Sequence, residues 1–233
     1  MTAPLIEARN VGVRFGGLVA VDGVSLTIEP RDICCIVGPN GAGKSTFFNV
    51  LTGTVTPTSG AICIGGEDFT GRPVHAFARR GIARKFQVPS VFPSLSVADN
   101  IRIAQRHIGN EKALDEVLSL LELTQSANRP AGVLAHGQKQ WLEIGMALAT
   151  QPKLLLLDEP TAGMGPEETQ RTVKLIREIA LHSAVAVIEH DMEFVRALGV
   201  RTLVLHQGRI IAQGSFDAVA ADERVRDVYL GRG

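Results

Sequence analysis

The chain has 233 residues, 45% of them apolar and 21% charged, with 24 Lys and Arg set against 24 Asp and Glu. That balance describes a globular protein with a real core and excludes a disordered tail or a fibrous repeat. Zero formal net charge removes any bulk attraction to nucleic acid or an anionic bilayer, so a bound anion has to be held by a local site.

Residues 5–28 alternate apolar and polar with glycine punctuation, which predicts short antiparallel strands. Ile33–Val37 is continuously apolar, as in a strand buried on both faces of a parallel sheet, and a helix is expected from about Lys44 to Leu51. Cys34 and Cys35 fall in that run and Cys63 in Ala61–Ile64, so the three cysteines read as buried strand residues without disulfide or metal-ligand spacing. From about 88 to 150 the pattern turns helical: Pro89 and Pro93 open it, Ser96 is placed to cap a helix, and Leu114, Val117, Leu118 and Leu121 form a stripe. Leu154–Leu157 and Ala184–Ile188 are two more buried strands, joined by a helix opening at Pro166 with Val173, Ile176 and Ala180 on one face. Thr202–Leu205 and Arg209–Ala212 form a late hairpin around Gln207-Gly208. The expected fold is therefore α/β with a mainly parallel sheet, an N-terminal antiparallel β part, a core of 1–87 and 151–233, and an inserted helical part of about 88–150 within a single domain. The start lacks a basic segment leading into an apolar one, and no window approaches the about 18 apolar residues that span a bilayer. A cytoplasmic chain that meets a membrane only by docking is expected.

Gly38-Pro39-Asn40-Gly41-Ala42-Gly43-Lys44-Ser45-Thr46 follows the first buried strand and matches the phosphate-binding loop in full. Its glycines let backbone N–H groups converge on phosphate oxygens, Lys44 neutralises the β- and γ-phosphates, and the Ser45 hydroxyl ligates Mg²⁺. Asp158 and Glu159, at the end of the second buried strand, supply a Mg²⁺-binding carboxylate and a base that orients and deprotonates water. In a parallel sheet these groups, together with His190, share the carboxyl ends of the strands, where ligands sit.

These motifs, with Phe15, Gln87 and Leu134-Ala135-His136-Gly137-Gln138 in order along the chain, resemble the nucleotide-binding subunit of an ATP-binding cassette transporter, a P-loop NTPase. The resemblance implies an ATPase whose cofactors are ATP and Mg²⁺, closing head to tail with a second such subunit so that ATP lies between one phosphate loop and the other chain's signature, Ala135–Gln138. It implies that Phe15 stacks on adenine, that Gln87 senses Mg²⁺ and couples to the membrane subunits, and that His190 contacts the γ-phosphate. It further implies two integral membrane permease subunits, a periplasmic or lipoprotein solute-binding protein, no nucleic acid, and a place on the inner face of the cell membrane.

Two positions depart from the family pattern. Ala135 stands where a serine hydroxyl is usual, and Gly165 where an aspartate is usual, so the two ATP sites are expected to differ and a heterodimer is favoured over a homodimer. A charge-assisted hydrogen bond of the kind Ala135 lacks is worth roughly 1.5–3 kcal/mol. The stretches 81–87, 136–145, Ala162–Met164, 190–195 and 224–231 are similar to the urea-type branch of the importers for branched-chain amino acids, urea and amides, so urea is the expected solute, with branched-chain amino acids or short amides as the alternative. The segment between Ile101 and Leu134 is shorter than in the amino-acid relatives. A soluble cassette protein acting on ribosomes or DNA would bring a second cassette or long insertions, which this length does not hold. Intact Lys44, Asp158, Glu159 and His190 argue against a subunit that binds ATP without turning it over.

Overall fold

Where the hydrophobic period changes from alternating to continuous, the chain passes from one sheet to another. In the computed structural model, which describes residues 3–85, 91–105 and 112–230, β1 (Ile6–Phe15) and β2 (Leu18–Ile28) pair antiparallel across Gly16-Gly17. The chain then enters β3 (Ile33–Val37) and α1 (Lys44–Leu51) before β4 (Ser59–Ile64) and β5 (Glu67–Asp68) complete a four-stranded antiparallel sheet in the order β2-β1-β4-β5. The antiparallel expectation for the N-terminal part holds, with longer strands than expected.

Next come α2 (Val74–Arg79), β6 (Ile82–Lys85), α3 (Val97–Gln105), α4 (Lys112–Leu120) and α5 (His136–Leu148). Ser96 caps α3 as expected: its Oγ accepts the Asp99 N–H at 3.0 Å. Val117, Leu118 and Leu121 are buried, and on α5 so are Trp141, Ile144 and Gly145. The remainder is β7 (Leu154–Asp158), α6 (Pro166–Ala180), β8 (Ala184–Ile188), α7 (Met192–Leu198), the hairpin β9 (Arg201–His206) and β10 (Arg209–Gly214), then α8 (Phe216–Ala221) and α9 (Glu223–Leu230).

Six strands form the second sheet in the order β10-β9-β3-β8-β7-β6, parallel throughout except for β10. Its central strands are apolar because both faces are covered: Leu154 to Leu157 and Ala184 to Val187 are fully buried. One face packs with the helices α3 to α7, the other with α1 and the antiparallel sheet. The three cysteines lie in these layers, and burial pushes the Cys34 thiol up to about 12 and the Cys35 thiol well above its ordinary value.

Candidate functional site

Register, more than any single motif, builds the site. Ile36 of β3 and Asp158 of β7 both lie level with Ile188 of β8, so the loops that follow these strands leave the sheet side by side. Those loops carry Gly38–Ser45, Glu159 and His190.

The loop after β3 turns into α1 through Gly43, whose φ of 101° is left-handed and whose Cβ, if present, would lie 2.2 Å from the Ala20 carbonyl oxygen. Only glycine fits there. Lys44 is buried and its Nζ donates to the carbonyls of Gly38 at 2.7 Å and Pro39 at 3.0 Å. Burial, opposed by Glu159 and Asp158, lowers its pKa. Two of its three N–H donors thus brace the loop, which fixes the ammonium at the mouth of the cradle. Ser45 is exposed on the first turn of α1.

Asp158 is 3% exposed, and its Oδ2 accepts from Arg84 Nη2 at 2.6 Å. Arg84 Nη1 donates to Asn49 Oδ1 at 2.6 Å, so a guanidinium from β6 joins α1 to β7 beneath the loop. Beside it, Lys85 Nζ lies 3.5 Å from Glu143 Oε2 of α5, both side chains 2% exposed, and burial lowers the Lys85 pKa against the pull of Glu143. The motif reading assigned no part to Arg84, Lys85, Asn49 or Glu143. Their signal was two adjacent cations at the end of a strand, a pattern that ordinarily marks a solvated turn.

Glu159 has φ 47°, left-handed for a non-glycine residue, and its N–H donates to the Ile188 carbonyl at 2.9 Å. His190 is exposed, with Nδ1 3.4 Å from Glu159 Oε1. Phe15 ends β1 about half exposed, next to the turn and well outside the core. Gln87 lies outside the described residues.

The signature begins α5. Ala135 is its N-cap and brings no side-chain acceptor, while the Gln138 side chain reaches back to accept the Ala135 N–H at 3.1 Å. The first-turn amides of α5 therefore have no capping hydroxyl or carboxylate from the N-cap, the arrangement that leaves a helix N-terminus open to an anion. A Cβ on Gly137 would come 2.3 Å from Glu168 Oε1, so α5 and α6 begin in close contact. His136 Nε2 lies 2.9 Å from the Ala162 carbonyl, tying the signature to the turn after Glu159.

Ser45, on the first turn of α1, and Asp158, at the end of β7, each offer a hard oxygen. This donor set fits Mg²⁺, which takes one or two protein oxygens and fills its shell with phosphate and water. Among the described residues no group of three or more His, Cys, Asp or Glu forms a dedicated metal cage.

Residues 21–162 match the profile of the ABC transporter family. The chain belongs to that family. This ABC ATPase also matches, over residues 209–233, a second profile described as branched-chain amino acid ATP-binding cassette transporter. It is 38% identical to the high-affinity branched-chain amino acid transport ATP-binding protein BraF of Pseudomonas aeruginosa and 37% identical to LivG of Escherichia coli, over 99% of each chain. Those alignments run to 253 positions against 233 residues, so these relatives carry insertions that the ABC ATPase lacks. Its fold superposes on the ATP-binding cassette MJ1267 in the ADP conformation with a TM-score of 0.90 at 30% identity, covering 99% of this chain and 100% of the other.

Proposed function

We propose that this transport-coupled ATPase energises the import of branched-chain amino acids, with the phosphate loop, Asp158, Glu159 and His190 forming its hydrolytic site. The observation that carries the site is the convergence of three strand ends that puts Glu159 and His190 3.4 Å apart beside the Lys44 loop. Branched-chain amino acids replace urea as the favoured solute because the relatives described above are named for them and the C-terminal profile is that of their transporters.

In this reading Phe15 stacks on adenine and the amides of Gly38 to Thr46, with Lys44, hold the phosphates. Ser45 and Asp158 hold Mg²⁺, with Gln87 as a further ligand; the ion, when bound, neutralises phosphate charge. Glu159 orients the attacking water and takes its proton, and His190 contacts the γ-phosphate. Ala135 to Gln138, at the N-terminus of α5, face the γ-phosphate held by a second ATPase subunit. That subunit is non-identical in the reading we favour, and binding and hydrolysis of ATP close and open the pair.

Among the described residues no helix is long and apolar enough to cross a membrane. In the same reading the two permease subunits dock on the inner face of the cell membrane, and the surface that supports this is the one where Phe92 and Val133 are exposed, beside a groove lined by Pro93, Gly132, Lys139 and Gln140. A solute-binding protein completes the importer.

The test is ATPase activity of the assembled transporter with leucine, valine, urea or acetamide as solute. Stimulation by leucine and valine is expected. In Glu159→Gln, turnover should fall by about 10²–10⁴ with ATP binding intact. Stimulation by urea alone would reverse the choice of solute, and near-normal turnover in Glu159→Gln would remove the base.

A further inference from the structure

We propose that Glu189 is a positioning residue for hydrolysis: its buried carboxylate clamps the turn that carries Glu159 to the turn that carries His190. The inference rests on the reading of those two residues as the hydrolytic pair.

Glu189 follows β8 and is 1% exposed. A carboxylate so enclosed has to be met by donors, and this one is met on both oxygens. Oε1 accepts the Thr161 N–H at 3.1 Å and the Thr161 hydroxyl at 2.5 Å; Oε2 accepts the N–H groups of His190 at 3.0 Å and Asp191 at 3.4 Å. Thr161 stands two residues after Glu159, and His190 immediately follows Glu189. One side chain thus fastens the exits of two neighbouring strands, through the Thr161 hydroxyl and three main-chain N–H groups, and the main-chain groups set where the flanking side chains begin.

Glu159 needs such a fastening. A left-handed backbone at a non-glycine residue persists only where its surroundings over-determine it. The constraints here are its own N–H on the Ile188 carbonyl and, two residues on, the Thr161 clamp. Its carboxylate and the exposed His190 ring then meet at 3.4 Å, and the same Nδ1 lies 3.8 Å from Glu189 Oε2 beneath it. The same turn continues to Ala162, whose carbonyl meets the His136 ring, so a shift at Thr161 reaches the signature as well.

The experiment compares steady-state ATPase kinetics and ATP affinity of the assembled transporter, together with the melting temperature of this chain. Glu189→Gln keeps the shape but turns an N–H₂ toward N–H donors, and kcat is expected to fall about 10–100-fold with KM for ATP within about twofold. In a Glu159→Gln background the same change should add no further loss, because Glu189 acts through that base. Unchanged kcat, or a rise in KM with a lowered melting temperature that accounts for the whole loss, overturns the proposal. Should Glu189→Gln fail to fold, Thr161→Val removes only the hydroxyl bond and is expected to lower kcat about 3–10-fold at constant KM; wild-type kcat there overturns it too. Retained turnover in Glu159→Gln alone would instead sink the parent reading of the site.

Discussion

Arg84 Nη2 donates to Asp158 Oδ2 at 2.6 Å, with side-chain exposures of 6% and 4%, so the carboxylate assigned to Mg²⁺ is already half of a buried ion pair. The guanidinium also holds Asn49 and lies over the Phe48 ring at 5.6 Å. Removing one partner strands the other charge. Arg84→Met is expected to cost about 3–5 kcal/mol in urea unfolding, and Arg84→Lys less, because a lysine keeps the charge but cannot serve Asp158 and Asn49 with two separate N–H groups. Equal losses in the two variants would show that the forked geometry contributes nothing.

Alkaline pH separates the buried thiols from the buried amines. Folded Cys34 titrates at about 12 against an ordinary 9.0, so between those values the folded chain keeps a proton that the unfolded chain releases. Its contribution is fully present below pH 9.0 and is lost as pH rises toward 12. Lys44 and Lys85, lowered from 10.5, act in the opposite sense: just below 10.5 the unfolded chain holds more protons, and stability rises with pH. Cys34→Ala should flatten the fall in urea midpoint between pH 9 and 11, whereas Lys85→Met should steepen it. An unaltered slope in Cys34→Ala would exclude the thiol as its source.

Restoring a hydroxyl at Ala135 has two separable effects. As N-cap of α5, a serine accepts a first-turn N–H and should raise stability by about 0.5–2 kcal/mol. In the proposed pairing the same hydroxyl can donate to a phosphate held by the second ATPase subunit, so Ala135→Ser should also raise ATPase activity of the assembled transporter. Ala135→Asp caps equally well but sets a negative charge against the phosphate, and should stabilise the fold while lowering activity. If both variants gain activity, capping alone explains the effect.

What could be read from the sequence was what is contiguous. Gly38 to Thr46, Asp158-Glu159 and Ala135 to Gln138 each carry their geometry within a few residues, and the continuous apolar runs of β3, β7 and β8 placed the phosphate loop, Asp158-Glu159 and His190 at one edge of a parallel sheet. What escaped notice acts by pairing over long separations: Arg84 with Asp158 across 74 residues, Glu189 with Thr161 across 28, Lys85 with Glu143 between a strand and a helix. A charged residue at a strand end reads as solvated until its partner is known. The short elements β5, β6 and α7 to α9 lack a periodic stretch long enough to declare them.

Trp141, the only tryptophan, fastens α5 to α6: its Nε1 donates to Thr172 Oγ1 at 2.9 Å in the core, and the Arg171 guanidinium lies 3.8 Å from the ring centroid. Thr172 Oγ1 in turn donates to the Glu168 carbonyl at 2.9 Å. Thr172→Val fills the same space but leaves the indole N–H facing a methyl group, at an expected cost of about 1–3 kcal/mol. Thr172→Ser keeps the acceptor and loses one methyl, worth about 0.8 kcal/mol of burial. Unfolding followed by the emission of this tryptophan reads the contact directly. A serine variant clearly more stable than the valine variant assigns the contact to the hydrogen bond, and the reverse order assigns it to packing, since the two substitutions remove opposite halves of the same side chain.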